Sequence, residues 1–162
     1  QRHNCTIVHK VIEGGNERFH SVRNGIEALE EVDYIAIHDG VRPFVSLKVI
    51  EDCYSMAAER GTPVPVIGVV ETVRRVEQKG GAVVSVTVPR DDYKLVQTPQ
   101  VFQAEALRRA YEQEFSPKFT DDASVVEKYG KDICYIEGER FNIKITTQDD
   151  MVLAKAIETL RK

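Results

Sequence analysis

The chain has 162 residues, one domain's worth, with 42% apolar and 30% charged residues and a net charge of −4 from 22 basic and 26 acidic side chains. Nucleic-acid binders are more often basic, with Lys and Arg gathered on one face, so this balance argues against one and requires any anionic ligand to find a local basic site. Cys5, Cys53 and Cys134 are odd in number and far apart, which fits reduced cytoplasmic thiols and neither a disulfide framework nor a metal motif. No apolar run is long enough to span a membrane, and no signal peptide is visible.

The first element expected is a strand over Thr6 to Val11. An intact α/β nucleotide-binding domain usually opens with a strand and a phosphate-binding loop. None precedes Gln1, so the chain reads as one that lacks its natural beginning. Gly14 and Gly15 form a turn, and Asn16 is placed to cap a helix carrying Phe19, Val22, Ile26 and Leu29 at helical spacing. Tyr34 to Ile37 has the look of a buried parallel strand, and it ends in His38-Asp39-Gly40. A helix marked by Val49, Ile50, Cys53, Met56 and Ala57 stops at Gly61. Val64 to Val70 follows as a strand whose prolines, Pro63 and Pro65, suggest a sheet edge or a start outside the ladder.

Residues 72 to 88 break the rhythm. Val73, Val76, Val84, Val86 and Val88 flank Lys79-Gly80-Gly81, the pattern of a hairpin inserted into a βαβ plan. A lone hairpin is marginal, so a second subunit is its natural support. A loop over Arg90 to Thr98 and a helix near Ala104 to Gln113 come next. Thr120 caps a short helix with Asp121 and Asp122 in its first turn. Ile133 to Ile136 and Ile143 to Ile145 read as strands, and Thr147 caps the last helix with Asp149 and Asp150 at its positive end. Strands alternating with helices predict a mostly parallel α/β sandwich.

Several residues fit chemistry by position. Asp39 directly follows a buried strand, where ligand crevices of open sheets form, and an Asp there can hold a hard cation with a nucleotide's phosphates. Arg42 shares its loop; the plainer reading is a turn cap paired with a surface Arg. Thr120 sits where a helix start can receive an anion, although a simple N-cap explains it too. Lys144 lies between two isoleucines and either lines a site or snorkels at an edge. Arg90 beside Asp91 and Asp92 reads as a surface ion pair, Asp121 and Asp122 need no role beyond their helix, and His38 reads as a structural hydrogen-bonder.

Five strings, in order across nearly the whole chain, carry a resemblance. Gly14-Gly15-Asn16-Glu17-Arg18 with Ser21-Val22 resembles "GGxxRxxSV"; His38-Asp39-Gly40-Val41-Arg42-Pro43 resembles "HDAARP". Gln97 to Phe102 matches "QTPQxF", Thr120 to Ser124 matches "TDDAS", and Asn142 to Thr147 matches "NIKITT". Together they resemble the 2-C-methyl-D-erythritol 4-phosphate cytidylyltransferases of the non-mevalonate isoprenoid pathway. The resemblance implies a Rossmann-like sandwich with a projecting β-arm, and a cytoplasmic homodimer joined through that arm. The chain would be the C-terminal portion of a single nucleotidyltransferase domain spanning residues 1 to 162, with the arm as an insertion at 72 to 88.

Roles follow by position. Gly15, Asn16 and Ser21 would face the cytosine or ribose of CTP, with Gly40 beside them. Asp39 would bind Mg2+, and Arg42 would lie on the substrate side. Thr72 and Arg90 would hold the methylerythritol phosphate of the neighbouring subunit. Thr98 and Thr120 would line the pocket, and Lys144 would approach the α-phosphate.

The family's Gly-rich loop with its basic residues would precede Gln1, so the resemblance implies that this chain alone is inactive. Glu71-Thr72-Val73-Arg74 replaces a more usual Asp-Thr-x-Lys, Gly40-Val41 replaces Ala-Ala, and Gln148 replaces a frequent Pro. His-Asp-x-Val-Arg-Pro-Phe also resembles ribitol-5-phosphate cytidylyltransferase, while the intact Thr120 to Ser124 string favours the isoprenoid enzyme. A non-catalytic nucleotide-binding or dimerisation module is the alternative from another class.

Overall fold

The computed structural model describes residues 10–161. Most of the strand expected over Thr6 to Val11 lies outside that range; Lys10 and Val11 are not in a strand. The elements are α1 (Arg18–Glu27), β1 (Tyr34–Ile37), α2 (Leu47–Arg60), β2 (Pro63–Gly68), β3 (Val73–Lys79), β4 (Ala82–Val88), β5 (Lys94–Val96), β6 (Gln100–Gln103), α3 (Ala104–Ala110), α4 (Asp122–Lys128), β7 (Cys134–Glu137) and α5 (Gln148–Leu160), with a 3-10 turn at Arg90–Asp92. The expected α/β class holds.

Alternation along β6 builds the layers. Val101 points to α2 and packs with Val49, Cys53 and Ala57. Phe102 points the other way, into a cluster formed by Phe19, Ile26, Ile35, Leu107, Tyr111, Val125 and Val126. Helices therefore cover both faces of this ladder, as period-two side chains on a doubly buried strand require. Burying a side chain the size of Phe102 or Leu107 contributes about 1.5–3 kcal/mol.

The pairing is mixed rather than mostly parallel among the described residues. β2 and β7 run parallel, from Pro63 opposite Cys134 to Val66 opposite Glu137. β1 pairs antiparallel with β6, so Tyr34 to Ile37 is not a parallel strand, and only Ile35 of its four residues is buried, with Ala36 exposed. β5, a strand within the stretch expected to be a loop, pairs antiparallel with the end of β2.

The prolines of β2 correct a second expectation: Pro63 and Pro65 lie inside the ladder of a central strand. The bonds to the β7 side are accepted by Thr62 and Val66, from Cys134 and Gly138. The prolines' missing N–H groups belong to the alternate row, and β5 reaches only Val66 to Gly68 on that side.

The ends of the helices follow local chemistry. Ser46 accepts from the Val49 amide at the start of α2, and Gly61 closes that helix in the left-handed region at φ 90°. The cap of α1 is Glu17, not Asn16, and no side chain bonds there. The cap of α4 is Asp121, one residue beyond Thr120, in a reciprocal box with Ser124. Thr147 caps α5 as expected, boxed with Asp150, whose carboxyl falls to about 2 through bonds from Thr146 and Thr147.

The hairpin runs in full register from Val73 opposite Val88 to Lys79 opposite Ala82. Gly80 and Gly81 turn it with φ 56° and 82°, which side chains other than glycine rarely adopt. No other strand joins this two-stranded sheet among the described residues, and Val76, Val83, Val84 and Val86 stand exposed on it.

Candidate active site

Ile37, the last residue of β1, lies opposite Gln100, the first of β6. The residues just beyond, His38-Asp39 and Thr98-Pro99, therefore meet at one end of the ladder. The Asp39 amide donates to Thr98 Oγ1 at 3.0 Å. Thr98 Oγ1 lies 2.9 Å from His38 Nδ1, and His38 Nε2 lies 2.9 Å from the Arg42 carbonyl oxygen. A carbonyl can only accept, so Nε2 carries the proton and Nδ1 receives the threonine hydroxyl. His38 thus holds the loop's shape, as expected for a structural hydrogen-bonder.

Asp39 gathers cations. Arg42 Nε donates to its Oδ2 at 3.1 Å, and Lys144 Nζ stands 3.2 Å from the same oxygen. Arg18 Nη2 lies 3.9 Å from Oδ1, an ion pair too long for a hydrogen bond. Burial by itself opposes ionisation of Asp39, but Arg42, Lys144 and Arg18 together outweigh it and hold the carboxyl below its usual range. Oδ1 receives no hydrogen bond among the described residues and remains open to a ligand.

Lys144 reaches Asp39 without belonging to a strand: residues 143–145 are irregular, which corrects the strand expected over Ile143 to Ile145. Their backbone bonds go to loops. The Ile145 amide donates to the Val41 carbonyl, and the carbonyl of buried Asn142 accepts from Arg42 Nη1 at 2.8 Å. The Asn142 side chain donates to the Thr98 carbonyl at 2.8 Å. Gln97 closes the knot: its side chain donates to the Glu139 carbonyl at 2.8 Å and accepts from the Glu139 amide at 3.0 Å.

A cleft of about 260 Å³ is lined by Asp39, Arg42, Thr98, Thr120 and Lys144, five of the residues expected from the sequence, together with Arg18, Gln97, Gln100 and Asp121. Gln100 is fully buried; it donates to Asp121 Oδ2 at 2.9 Å and accepts from the Ala123 amide at 2.9 Å, which fixes the α4 end of the cleft. Arg18 is anchored by fully buried Asp122, whose two oxygens accept from Nη1 at 2.9 Å and Nη2 at 2.6 Å. Tyr111 donates to Asp122 Oδ1 at 2.6 Å. Burial, then Asp122, push the Tyr111 hydroxyl upward, so it stays protonated and donating.

The remaining expected residues lie outside the cleft. Gly15, in the turn that leads to Arg18, donates its amide at 3.0 Å to Oγ of Ser21 in α1. A Cβ on Gly15 would stand 2.3 Å from the His20 Cβ, so this close approach admits only glycine. Asn16 and Gly40 are exposed in their loops. Thr72 and Arg90 sit exposed at the base of the hairpin, where Arg90 Nη1 donates to the Val70 carbonyl at 2.5 Å.

A carboxylate just past a strand, sharing a polar cleft with three cations, is equipment for handling nucleotide phosphates; with this fold it defines a nucleotidyltransferase. The family model of 2-C-methyl-D-erythritol 4-phosphate cytidylyltransferase matches residues 4–160. A relative of that name from Bacteroides fragilis is 54% identical, covering 97% of this chain and 70% of its own. One from Bacillus cereus is 42% identical over 93% of this chain and 66% of its own. The crystal structure of the enzyme of that name from Thermus thermophilus superposes with a TM-score of 0.78 at 36% identity, covering 91% of this chain and 72% of that one. The Francisella tularensis structure superposes at 0.76 with 33% identity, covering 88% and 69%. The chain belongs to the 2-C-methyl-D-erythritol 4-phosphate cytidylyltransferase family.

Proposed function

We propose that the cleft around Asp39 is where this chain transfers a cytidylyl group from CTP to 2-C-methyl-D-erythritol 4-phosphate. The observation that carries the reading is the convergence of Lys144, Arg42 and Arg18 on one carboxylate in a cleft lined by the hydroxyls of Thr98 and Thr120.

In the reaction an oxygen of the acceptor's phosphate attacks the α-phosphorus of CTP. A new P–O bond forms there, the bond from the α-phosphorus to the bridging oxygen breaks, and pyrophosphate leaves with the electron pair. No proton need move. Lys144 lies at the surface of the cleft with its side chain part-exposed, free to turn from Asp39 to the non-bridging oxygens as their charge grows. Arg42, pinned by Asp39 and the Asn142 carbonyl, has little such freedom and serves as a fixed counter-charge for the acceptor's phosphate. Gly15, Asn16 and Gly40, in loops, and Ser21, in the first turns of α1, are assigned to the nucleoside.

The residues fit a divalent cation of the Mg2+ kind. Its protein ligand would be the open Oδ1 of Asp39, and no group of three or more His, Cys, Asp or Glu placed to hold a metal occurs among the described residues, as suits an ion held largely by substrate phosphates and water. Bound there, it would supply further charge neutralisation on those phosphates.

The hairpin is assigned to a homodimer, supported by its exposed valines and by its lack of a third strand among the described residues. Thr72 and Arg90 at its base would then serve the partner's cleft. The reading also places the protein in the cytoplasm, which agrees with free Cys53 and Cys134; no helix among the described residues is long and apolar enough to cross a membrane.

The test is pyrophosphate release by a form of the protein spanning the full length of its relatives, from CTP with methylerythritol phosphate and, separately, with ribitol 5-phosphate. Turnover with the first and little with the second is expected; the reverse preference would move the chain to the ribitol reading, and turnover with neither would favour the module.

A further inference from the structure

We propose that Arg18 is a phosphate-binding residue of this cleft, aimed into it by Asp122 and Tyr111. The inference rests on the nucleotide reading of the site and adds a residue to it.

The bland alternative is a structural tie between α1 and α4. Three observations go beyond that. Asp122 is fully buried, and removing a carboxylate from water carries a cost that a well-packed apolar pair would avoid. The tie is end-on: Nη1 and Nη2 each give one hydrogen to Asp122. A guanidinium has five N–H donors, so the outer N–H groups of Arg18 are left over, and no protein acceptor takes them among the described residues. Finally, the guanidinium lines the cleft with 38% of the side chain exposed, and its Nη2 stands 3.9 Å from Asp39 Oδ1.

These facts describe a cation whose rear is fixed and whose front is unfilled. Tyr111 completes the mounting: its hydroxyl takes a share of Asp122, and its ring stacks on Phe19 at 4.8 Å, next to Arg18 in the chain. Asp122 is thus fastened from two elements and can turn Arg18 in only one direction. A planar guanidinium held in this way presents its outer N–H groups as donors to phosphate oxygens, which a flexible lysine does not reproduce. Because the adjoining Asp39 oxygen is the one left open, the phosphates concerned are those of the nucleotide.

The experiment compares CTP with cytidine, which lacks phosphates, by calorimetric titration of the full chain. The variant that keeps the fold is Arg18→Gln combined with Asp122→Asn, because the two amides can bond each other and no buried charge is stranded. Its melting should stay near the parent's, its affinity for CTP should fall by about tenfold or more, and its affinity for cytidine should not change. Arg18→Lys keeps a positive charge against Asp122 and should lose part of the CTP affinity, again sparing cytidine; it carries the test should the double variant not fold. Unchanged CTP affinity, or equal loss for CTP and cytidine, would leave only the structural tie and overturn the proposal. A parent that binds CTP no better than cytidine would overturn the phosphate-site reading itself, and this inference with it.

Discussion

Lys144 Nζ and Arg42 Nε share one oxygen of Asp39, at 3.2 and 3.1 Å, although Lys144 arrives from an irregular segment far along the chain. One carboxylate oxygen thus holds both, and the two are not equivalent. Arg42 has a second anchor at the Asn142 carbonyl, while Lys144 has no other bond to hold it among the described residues.

The mobile partner should matter in the transition state. In a form spanning the full length of its relatives, Lys144→Ala is expected to lower kcat by about a hundredfold or more while changing KM far less, because the charge it meets grows during reaction. Steady-state kinetics for both substrates check this. Asp39→Asn should in turn flatten the dependence of rate on Mg2+ concentration; parent-like behaviour of both variants would remove these roles.

The same cluster sets a pH response. Asp39 has a depressed folded-state value, so its stabilising contribution is complete above the ordinary aspartate range and is lost only as pH falls through the lower folded value. Removing Lys144 should move the midpoint of Asp39 protonation upward. Carboxyl NMR titration of the parent and Lys144→Ala would show the shift, and a downward or absent change would contradict it.

Gly15→Ala tests the turn before α1. A Cβ meets the His20 Cβ at 2.3 Å, so the turn must move. A loss of about 1–3 kcal/mol is expected from such overpacking, with weaker CTP binding because Ser21 loses its hold on the Gly15 amide. Denaturant melts and nucleotide titration measure the two effects; a melt equal to the parent's would show that the turn is not constrained.

Arg90→Ala and Lys144→Ala chains test the shared site. Each should be nearly inactive alone. Mixed and allowed to exchange, about half the dimers become hybrids with one intact site each, so activity should recover to roughly a quarter of the parent's per subunit. No recovery, with exchange shown independently, would mean that Arg90 serves its own subunit or has no catalytic part.

The features legible in the sequence are those written in neighbouring residues. Thr147 and Asp150 make their capping box within one turn, and Gly80-Gly81 between alternating valines announces the hairpin. Thr120 competes with Asp121 for the same cap, and the Asp121 carboxylate, which accepts from the Ser124 amide, decides between them. Arg18 stands inside a family motif without reading as part of the site, because its partner Asp122 is 104 residues away. β6 escapes a sequence reading because Gln100 looks like a surface residue, yet it is buried with both amide atoms bonded to the α4 turn. Ile143 and Ile145 have the alternation of a strand, but Asn142 draws their backbone to the loops. Asp39 is legible because strand ends in layered folds are where ligands sit.

The hairpin's pairing has a consequence for isotope exchange. In a two-stranded antiparallel sheet each strand turns alternate amides toward its neighbour and the rest outward. Along Val73–Lys79 and Ala82–Val88, then, slow and fast deuterium uptake should alternate residue by residue. A partner that laid a strand along either edge would erase the alternation on that strand, whereas one that covered the valines on the face would preserve it. The uptake pattern of the arm therefore reports the direction from which it is gripped.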